Sequence, residues 1–538
     1  MRTNLLLSNL VVVAGLLLAA CRKPAAAPIA TAGTVPAGTQ PGQLTGLAGC
    51  EYQPKSAKTK YLAECGTLTV SENWDKAGSR LIGLPVVRIP ASGKDPAEPV
   101  FWLMGGPGGP NITWAPPAWL LAKHDVVMVG YRGVEGTQRL SCPALGRLLK
   151  AHVGKDLWSE QARTQYGDAV RKCAAGFQAA GVDLTGYTVP GVIADMEAAR
   201  VALGYSKIDL FSESYGTRVA QLYAYLHPDS LHRVVQIGVN TPGHFIYDPA
   251  VLDQMIRYLA KLCARDVSCS SRTSDLAATM YAVDHSMPKR WLIFNIDSDS
   301  IRLGAHAQFS SSKNIAMVVD GYLSAAEGDP SGLALLNLMM QMMFPTDKVV
   351  YADYFTKGGT LDLDRYRGLE SISLGNSIIG APWSELVWPM GAEWPIELLP
   401  KELRGFQETD VDMLLVNGTI DFATPPTALD EAKPFWHKAQ MVLLPEFSHT
   451  NDVYTLQPEA FQRLITGYYD TGVADSSLFV YQPVSFKPDS SPSVMAKELV
   501  AALILLPLLL VLSIVLVVRR MRRRRAGQNW VLQKRIAM

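Results

Sequence analysis

The sequence predicts an α/β fold in which a mainly parallel sheet is covered on both faces by helices. Two observations indicate this fold. Short apolar runs rich in β-branched residues, bounded by glycine and proline, are typical of strands. These runs alternate with stretches of helical periodicity, an order typical of parallel sheets built from strand–helix–strand units. The predicted strands cover residues 67–70, 81–89, 100–104, 126–130, 208–212, 234–237, 413–417 and 440–444.

The N-terminus has the features of an export signal. Residues 1–21 contain a basic residue, a largely apolar run and a small-residue ending at Cys21. The ending Leu-Ala-Ala-Cys resembles a bacterial lipobox, which implies that Cys21 is lipidated and becomes the mature N-terminus. An ordinary signal peptide or an uncleaved anchor is the alternative interpretation. Residues 22–48 are rich in Ala, Pro, Gly and Thr and predict a flexible linker.

The C-terminus has the features of a membrane anchor. Residues 499–518 form an uncharged apolar run of the length that spans a bilayer core. Residues 519–538 form a basic tail, which the positive-inside rule places in the cytoplasm. We therefore expect a bacterial inner-membrane protein whose catalytic domain lies in the periplasm or extracytoplasmic space. Residues 472–498, with several Ser and Pro, predict a second linker.

The charge balance argues against a nucleic-acid partner. The net charge of the chain is +1, but residues 1–23 and 519–538 hold eleven basic residues and no acid. Residues 24–518 therefore carry a net charge of −10. A protein that binds nucleic acid through a broad surface needs the opposite sign there.

The cysteines agree with an oxidising compartment. Beyond Cys21 the chain has six, an even number that predicts disulfides. Sequence does not choose among the many pairings, and the pairing of neighbours is the simplest hypothesis. No cysteine–histidine cluster has zinc spacing, so no metal is expected. The neighbouring pairs are Cys50 with Cys65, Cys142 with Cys173, and Cys263 with Cys269.

A candidate nucleophile lies between the predicted strand 208–212 and the helix that follows it. Residues 211–217 read Phe-Ser-Glu-Ser-Tyr-Gly-Thr. A sharp strand-to-helix turn exposes one serine above the sheet edge in a nucleophile elbow, and Ser214 has that position. Gly216 supplies one of the small neighbours that such a turn needs, whereas Ser212 stands where the first glycine is usual.

A glycine-rich segment, residues 105–110, directly follows the predicted strand 100–104. Exposed backbone N–H groups after a strand are suited to hold a developing oxyanion. We expect the oxyanion hole to consist of the N–H groups of Gly106 and of Tyr215, the residue after the nucleophile.

An acid and a histidine follow two later strands. Asp421 comes after the strand 413–417, and His449 comes after the strand 440–444. The order Ser, Asp, His is the chain order typical of α/β-hydrolases. The sequence therefore predicts that His449 takes the proton of Ser214 and that Asp421 orients the imidazole.

Taken together, these motifs resemble the α/β-hydrolase peptidases of the proline iminopeptidase and tripeptidyl aminopeptidase family (peptidase S33). The resemblance implies an α/β-hydrolase core in two parts, residues 49–245 and 396–471, with a mostly helical cap at 246–395. It also implies release of residues or short peptides from a substrate with a free N-terminus, without a cofactor. The matching stretches are residues 65–70, 105–109, 131–133 and 214–217, and Asp421 with Thr424 and Pro425.

The chain departs from the family pattern at three places. Met104 precedes the double glycine, where His or Asn is usual. Tyr131 occupies the segment that normally reads Asp-Gln-Arg-Gly, and Ser212 replaces a glycine. None of these changes removes a catalytic atom, and together they indicate a divergent branch.

Three acids are candidates for substrate binding. Glu213 is predicted to pair with the amino terminus of a substrate or with Arg132. A similar Glu-Ser-Tyr occurs in serine carboxypeptidases, where acids help to bind the carboxyl end of the substrate. Glu385 and Glu393, which lie near three tryptophans, are predicted to line the cap side of the pocket and hold a substrate ammonium. The alternative for these two is ordinary surface acids beside core tryptophans.

The function predicted from these observations is a membrane-tethered, extracytoplasmic serine exopeptidase that acts at the N-terminus through an acyl-enzyme. An esterase or other acyl hydrolase, or a serine carboxypeptidase-like enzyme, would use the same three side chains. A non-catalytic binding module on the same fold is a further alternative, although none of the three side chains is missing.

Overall fold

The computed structural model describes residues 34–536 except 56, 345–348 and 369–371. The predicted signal peptide, residues 1–21 with Cys21, lies outside the described residues. Within the described part, nine strands form one large sheet and two more form a small hairpin. The strands are β1 (Leu44–Tyr52), β2 (Tyr61–Ser71), β3 (Leu81–Ile89), β4 (Val100–Leu103), β5 (Val126–Val129), β6 (Ile208–Glu213), β7 (Leu231–Ile237), β8 (Arg290–Trp291), β9 (Phe294–Asn295), β10 (Met413–Gly418) and β11 (Ala439–Leu444).

The large sheet has the order β1-β2-β3-β5-β4-β6-β7-β10-β11. Six neighbouring strands of this sheet run parallel to one another: β5, β4, β6, β7, β10 and β11. The other three, β1, β2 and β3, pair antiparallel at one edge. Each predicted strand is present, and most extend a little further than predicted. Strand β1 begins inside the predicted linker 22–48, because residues from 44 onward pair with β2.

Helices cover both faces of this sheet, as the alternation of motifs predicts. In β4, Phe101 and Leu103 pack into one buried cluster while Val100 and Trp102 pack into another. This alternation is what a strand buried on both faces requires. The helices are α1 (Ala118–Leu121), α2 (Pro143–His152), α3 (Glu160–Ala179), α4 (Val189–Ala202), α5 (Tyr215–Leu226), α6 (Pro249–Cys263), α7 (Val267–Ser270), α8 (Leu276–His285), α9 (Ser298–Gln308), α10 (Ser312–Ala326), α11 (Ser331–Met343), α12 (Tyr351–Gly368), α13 (Pro382–Gly391), α14 (Lys401–Arg404), α15 (Leu429–Ala432), α16 (Thr450–Thr455), α17 (Pro458–Thr471) and α18 (Pro492–Ile536).

Between β7 and β10 the chain is mostly helical and has a buried core of its own. Helices α6, α8, α10 and α11 contribute apolar side chains to this core, and the β8–β9 hairpin lies beside α11. These elements correspond to the insertion predicted at residues 246–395. We refer to them as the cap.

The segment before the last helix differs from the linker predicted at 472–498. Val484 and Phe486 are buried in the core of the cap. The carboxylate of Glu446 accepts hydrogen bonds from the Val484 N–H at 2.7 Å and from the Tyr481 hydroxyl at 2.5 Å. Buried apolar side chains and satisfied backbone groups hold this segment against the protein, so its Ser and Pro content does not make it a free spacer.

Helix α18 contains the predicted membrane segment 499–518 and continues into the basic tail. Among the described residues it is the one helix long and apolar enough to span a membrane, over Pro492–Arg523. None of its most apolar window is buried against the rest of the protein. An apolar helix of this length with no protein covering it is typical of a membrane span.

Three disulfides join the described cysteines in the simplest predicted pairing. They connect neighbours along the chain: Cys50 with Cys65, Cys142 with Cys173, and Cys263 with Cys269.

Candidate active site

Ser214 lies at a sharp turn between β6 and α5. Its φ of 51° is in the left-handed region, which non-glycine residues rarely adopt. A Cβ on Gly216 would lie 2.1 Å from the Leu103 carbonyl oxygen, and a Cβ on Gly105 would lie 2.9 Å from the Ser214 Cβ. The close approach of these backbones requires glycine at both positions. This is the geometry of a nucleophile elbow.

Ser212 fits in this turn although it replaces the usual glycine. Its side chain is fully buried, and its hydroxyl donates a 2.8 Å hydrogen bond to the Val235 carbonyl oxygen. The added polar atom therefore has a partner on the neighbouring strand, so its burial is not costly.

Asp421 and His449 meet at the carboxyl ends of β10 and β11. The His449 Nδ1 lies 2.7 Å from the Asp421 Oδ2. The buried carboxylate of Asp421 also accepts hydrogen bonds from the backbone N–H groups of Ala423 and Thr424, each at 2.9 Å, and from the Thr424 hydroxyl at 2.7 Å. The carboxylate is thus held in one orientation toward the imidazole. Thr424, which the sequence analysis left without a role, is part of this arrangement.

The His449 ring lies beside the Ser214 turn. The Ser214 N–H donates to the Ile237 carbonyl oxygen at 2.9 Å, and the next residue is Gly238. A Cβ on Gly238 would lie 2.7 Å from the His449 Cε1. The imidazole therefore packs directly on the backbone that supports the serine.

The electrostatic surroundings favour the protonated form of His449. Burial by itself would lower the pKa of the imidazole. The charge and hydrogen bond of Asp421, with the charges of Glu213 and Asp452, outweigh burial and raise this pKa above its usual value. An imidazolium stabilised in this way is what an acyl-transfer reaction produces after the serine has given up its proton.

The two predicted oxyanion donors lie on the same cavity as Ser214. Gly106 and Tyr215 both line it. Tyr215 is the first residue of α5, and a backbone N–H in the first turn has no partner within its helix. Such a group at the positive end of a helix is suited to an anion. Gly106 has a φ of 138°, which a residue with a side chain rarely adopts.

Five aromatic residues line this cavity, which has a volume of about 240 Å³. His306 of the cap also lies on the wall, and burial lowers its pKa to about 4. Its Nε2 lies 3.2 Å from the Phe422 carbonyl oxygen, which can only accept, so Nε2 carries a proton and donates it. Neither this residue nor the aromatic part of the wall could be predicted, because no local sequence pattern distinguishes them from core residues. The aromatic residues are Tyr215, Phe245, Tyr247, Tyr354 and Trp383.

Glu213 lies beside the site but does not line the cavity. It is 9% exposed, and one carboxylate oxygen accepts a 2.7 Å hydrogen bond from the Tyr454 hydroxyl. The predicted pairing of Glu213 with Arg132 is wrong. The fully buried Arg132 guanidinium instead pairs with Asp195 through bonds of 2.7 and 2.5 Å.

Glu385 and Glu393 are not among the residues that line the cavity, contrary to the prediction for both. The buried Glu385 carboxylate lies 3.1 Å from the Arg163 guanidinium and 3.4 Å from that of Arg302. Glu393 lies 2.6 Å from Arg171. Arginine partners from distant parts of the chain hold these acids, so neither is placed to receive a substrate ammonium.

In the part of the chain that the structure describes, one group of residues has side chains of the type that bind metals. Ligand atoms of Glu98, Asp209 and His232 lie within 4.8 Å of one another. The His232 Nδ1 lies 3.0 Å from an Asp209 oxygen, so an ion pair accounts for this proximity. The group is at the amino ends of the strands, whereas Ser214, Asp421 and His449 follow their carboxyl ends. It is therefore separate from the candidate active site.

Comparisons with known proteins agree with this arrangement. Residues 98–265 match the family model of the alpha/beta hydrolase fold. The chain is 29% identical over 210 residues to a tripeptidyl aminopeptidase from Streptomyces coelicolor, a match that covers 36% of this chain and 38% of that protein. It is 26% identical over 218 residues to the serine protease Hip1 from Mycobacterium bovis, covering 38% of this chain and 41% of that protein.

The matched region spans less than half the length of these curated relatives. The match to the alpha/beta hydrolase model nevertheless agrees with the observed parallel sheet and with the position of the serine at a strand-to-helix turn. The chain thus has the α/β-hydrolase fold and is similar in sequence to tripeptidyl aminopeptidases.

Proposed function

We propose that this protein is a serine exopeptidase that releases N-terminal residues or short peptides. The observation that carries the proposal is the Asp421–His449 pair packed beside the strained turn at Ser214. The similarity to tripeptidyl aminopeptidases supports a peptide as the substrate.

The proposed reaction proceeds through an acyl-enzyme. His449 takes the hydroxyl proton of Ser214 as its oxygen attacks the peptide carbonyl carbon, and then gives that proton to the leaving amine. The N–H groups of Gly106 and Tyr215 stabilise the oxyanion of the tetrahedral intermediate. A water molecule, activated by the same imidazole, then hydrolyses the ester and restores the serine. Asp421 keeps the imidazole in the tautomer that presents Nε2 to the serine.

We also propose where the protein lies in the cell and how it is oriented in the membrane. Helix α18 would span the bacterial inner membrane, with the basic tail from Arg519 onward in the cytoplasm. The hydrolase domain would then face the periplasm or extracytoplasmic space, where its disulfides are stable. Lipidation of Cys21 would add a second anchor.

An acyl esterase is the second candidate. Among the described residues that line the cavity there is no Asp or Glu, and five of them are aromatic. A wall of this kind suits an apolar acyl group, whereas an aminopeptidase must also hold a charged amino terminus. The carboxypeptidase alternative has less support, because the Glu213 carboxylate is bonded to Tyr454 and is not on the cavity wall.

A substrate panel with the full-length chain separates these functions. Peptidyl amides with a free N-terminus, their N-acetylated counterparts and short acyl esters are compared under one set of conditions. An exopeptidase cleaves the free peptides and loses activity on the acetylated ones, whereas an esterase cleaves only the esters. Hydrolysis of none of them, with no labelling by an organophosphonate, would indicate a binding module.

Two serine variants test the nucleophile. Ser214→Ala should abolish hydrolysis and labelling. Ser212→Ala, two residues away, should retain both because that hydroxyl is bonded to the neighbouring strand. Full activity of Ser214→Ala would contradict the proposal.

A further inference from the structure

The β8–β9 hairpin carries two apolar side chains at its tip. Trp291 pairs with Phe294 across the hairpin, and the two residues between them form the turn. Leu292 is 63% exposed and Ile293 is 85% exposed. Lys289 and Arg290, which precede Trp291, are exposed as well. The hairpin thus places an apolar tip beyond an aromatic pair and two cations.

The turn residues are unusual for a water-exposed hairpin. Leu292 has a φ of 52°, a conformation that tight turns normally give to glycine or asparagine. Leucine in that position costs conformational energy, and the tip gains no burial from the described protein in return. An apolar tip formed at such a cost indicates contact with an apolar environment outside the domain.

The aromatic pair of the hairpin lies beside the start of the apolar run in α18. Trp291 and Phe294 line a small crevice together with Ala496, Leu499 and Val500. Leu499 is the first residue of the uncharged run that extends to residue 518. The hairpin is therefore at the level where α18 would enter a bilayer.

Helix α11 reaches the same level. The Ser331 hydroxyl donates to the Ser493 carbonyl oxygen at 3.3 Å, and further along, Leu338 shares the crevice with Leu499. A later residue of α11 thus lies beside a later residue of α18. The two helices therefore run side by side in the same direction. Met342, at 51% exposure, and its neighbour Met343, at 68%, come about one turn after Leu338. Because α11 and α18 run in the same direction, the end of α11 lies beyond the level of Leu499.

We propose that the hairpin tip and the C-terminal end of α11 enter the interface of the bilayer that α18 spans. Leu292, Ile293, Met342 and Met343 would enter the boundary between headgroups and acyl chains. Tryptophan is common at headgroup depth, and basic side chains bind anionic headgroups. The inference rests on the proposed membrane tether and adds to it a second, peripheral contact of the cap.

This contact would fix the orientation of the cap above the membrane. Met340 of α11 packs against Gly304 of α9, where a Cβ would lie 2.8 Å from the Met340 Cγ. Helix α9 also carries Leu303 and His306 of the cavity wall. One layer of helix would then separate the substrate cavity from the lipid-contacting surface.

The test uses the full-length chain in nanodiscs of phosphatidylethanolamine and phosphatidylglycerol. An environment-sensitive fluorescent amino acid replaces Ile293 in one variant and Met343 in another. Lipids that carry a nitroxide at the headgroup or along the acyl chain then measure the depth of the probe. We expect a blue-shifted emission and strong quenching at both positions.

Two further positions make the outcomes distinct. Leu62, exposed on β2 at the edge of the large sheet, is the matched control for an apolar residue in water, and Val511 reports the span itself. Quenching at 293, 343 and 511 but not at 62 supports the proposal. A water-like probe at 293 with a quenched probe at 511 overturns the hairpin contact and leaves the tether standing. An unquenched probe at 511 overturns the tether, and with it this inference. Equal quenching at 62 also overturns it, because it indicates non-specific adsorption.

Discussion

The hydroxyl of Tyr454 donates a 2.7 Å hydrogen bond to the carboxylate of Glu213, the residue directly before Ser214. This bond connects α16 to the end of β6, close to the His449 imidazole. Burial raises the pKa of Glu213, and the Tyr454 bond, the His449 charge and the Gly105 N–H act against that rise. Where Glu213 is ionised, its charge raises the pKa of His449 in turn. Its position therefore assigns it an electrostatic effect on the imidazole.

The first prediction concerns the pH dependence of hydrolysis in Glu213→Gln. His449 accepts a proton only when it is neutral, so a raised pKa places the acid limb of the profile at higher pH. Removal of the Glu213 charge removes one cause of that rise, and the acid limb of kcat/KM should move to lower pH. The measurement is a pH profile of kcat/KM for both proteins.

A matched control is Glu446→Gln. Glu446 is also buried and also accepts from a tyrosine, Tyr481, but it is not among the groups that shift His449. The acid limb of the kcat/KM profile of Glu446→Gln should therefore stay at the pH of the parent enzyme. An acid limb of Glu213→Gln that stays in place or moves to higher pH would contradict the electrostatic role.

The second prediction concerns Thr424, whose hydroxyl bonds the Asp421 carboxylate. A hydrogen bond to a charged group contributes about 1.5–3 kcal/mol, so Thr424→Val should lower kcat by roughly tenfold or more. Asp421→Asn should cost on the order of 10⁴ in kcat, because the imidazole then loses its tautomer preference. Steady-state kinetics test both. As a control, Thr427→Val changes an exposed threonine and should leave kcat at the value of the parent enzyme. A Thr424→Val variant with full kcat would show that the backbone N–H groups alone orient Asp421.

The elements around the serine could be predicted because their signals are local. A buried strand, a turn with Gly216 and a helix follow one another within residues 208–226. The cavity walls could not be predicted, because Phe245, Tyr354 and Trp383 meet only through the packing of the cap. Their sequence context is the same as that of aromatic residues in any core.

The predictions for two cap acids failed because sequence neighbours do not show which residues meet in the folded protein. Glu385 and Glu393 have tryptophan neighbours in sequence, which suggested a pocket. Their arginine partners come from more than 80 positions away, at Arg163, Arg171 and Arg302. Sequence proximity does not determine which partner a charged group finds after folding. The hairpin tip was missed for a related reason, since its exposure depends on how β8 and β9 pack beside α11.

The third prediction concerns the buried Arg132–Asp195 pair. Arg132 also donates to the carbonyl oxygens of Ser71, Glu72 and Gly186, so it connects β2 to the helical layer. Asp195→Ala leaves the guanidinium buried without its counter-charge, which should cost about 3–5 kcal/mol in the free energy of unfolding. Urea unfolding followed by tryptophan fluorescence measures this.

Glu51→Gln provides the reference for that loss. Glu51 pairs with Lys60 at 2.7 Å, and both side chains are more than half exposed. Its removal should cost no more than about 1 kcal/mol. An equally small loss for Asp195→Ala would mean that the arginine keeps enough backbone partners to remain buried on its own.

The fourth prediction concerns the support of the glycine-rich segment by the cap. Asp353 on α12 accepts a 3.1 Å hydrogen bond from the Gly108 N–H and pairs with Lys357 at 2.6 Å, and both side chains are fully buried. Lys357→Met alone leaves a buried unpaired carboxylate and should cost about 3–5 kcal/mol of stability. The double variant Asp353→Leu with Lys357→Met replaces the pair by apolar groups and should be close to the parent in stability.

That double variant separates stability from catalysis. It keeps a filled core but removes the hydrogen bond that holds Gly108, two residues from Gly106, the proposed oxyanion donor. A displaced donor should lower kcat by up to about 10²–10³, with a smaller change in KM, because the donor acts on the transition state. Unfolding and steady-state kinetics on the same preparations test this. A stable double variant with the parent kcat would mean that the segment holds its geometry through its own backbone, and that the cap contributes only the walls of the cavity.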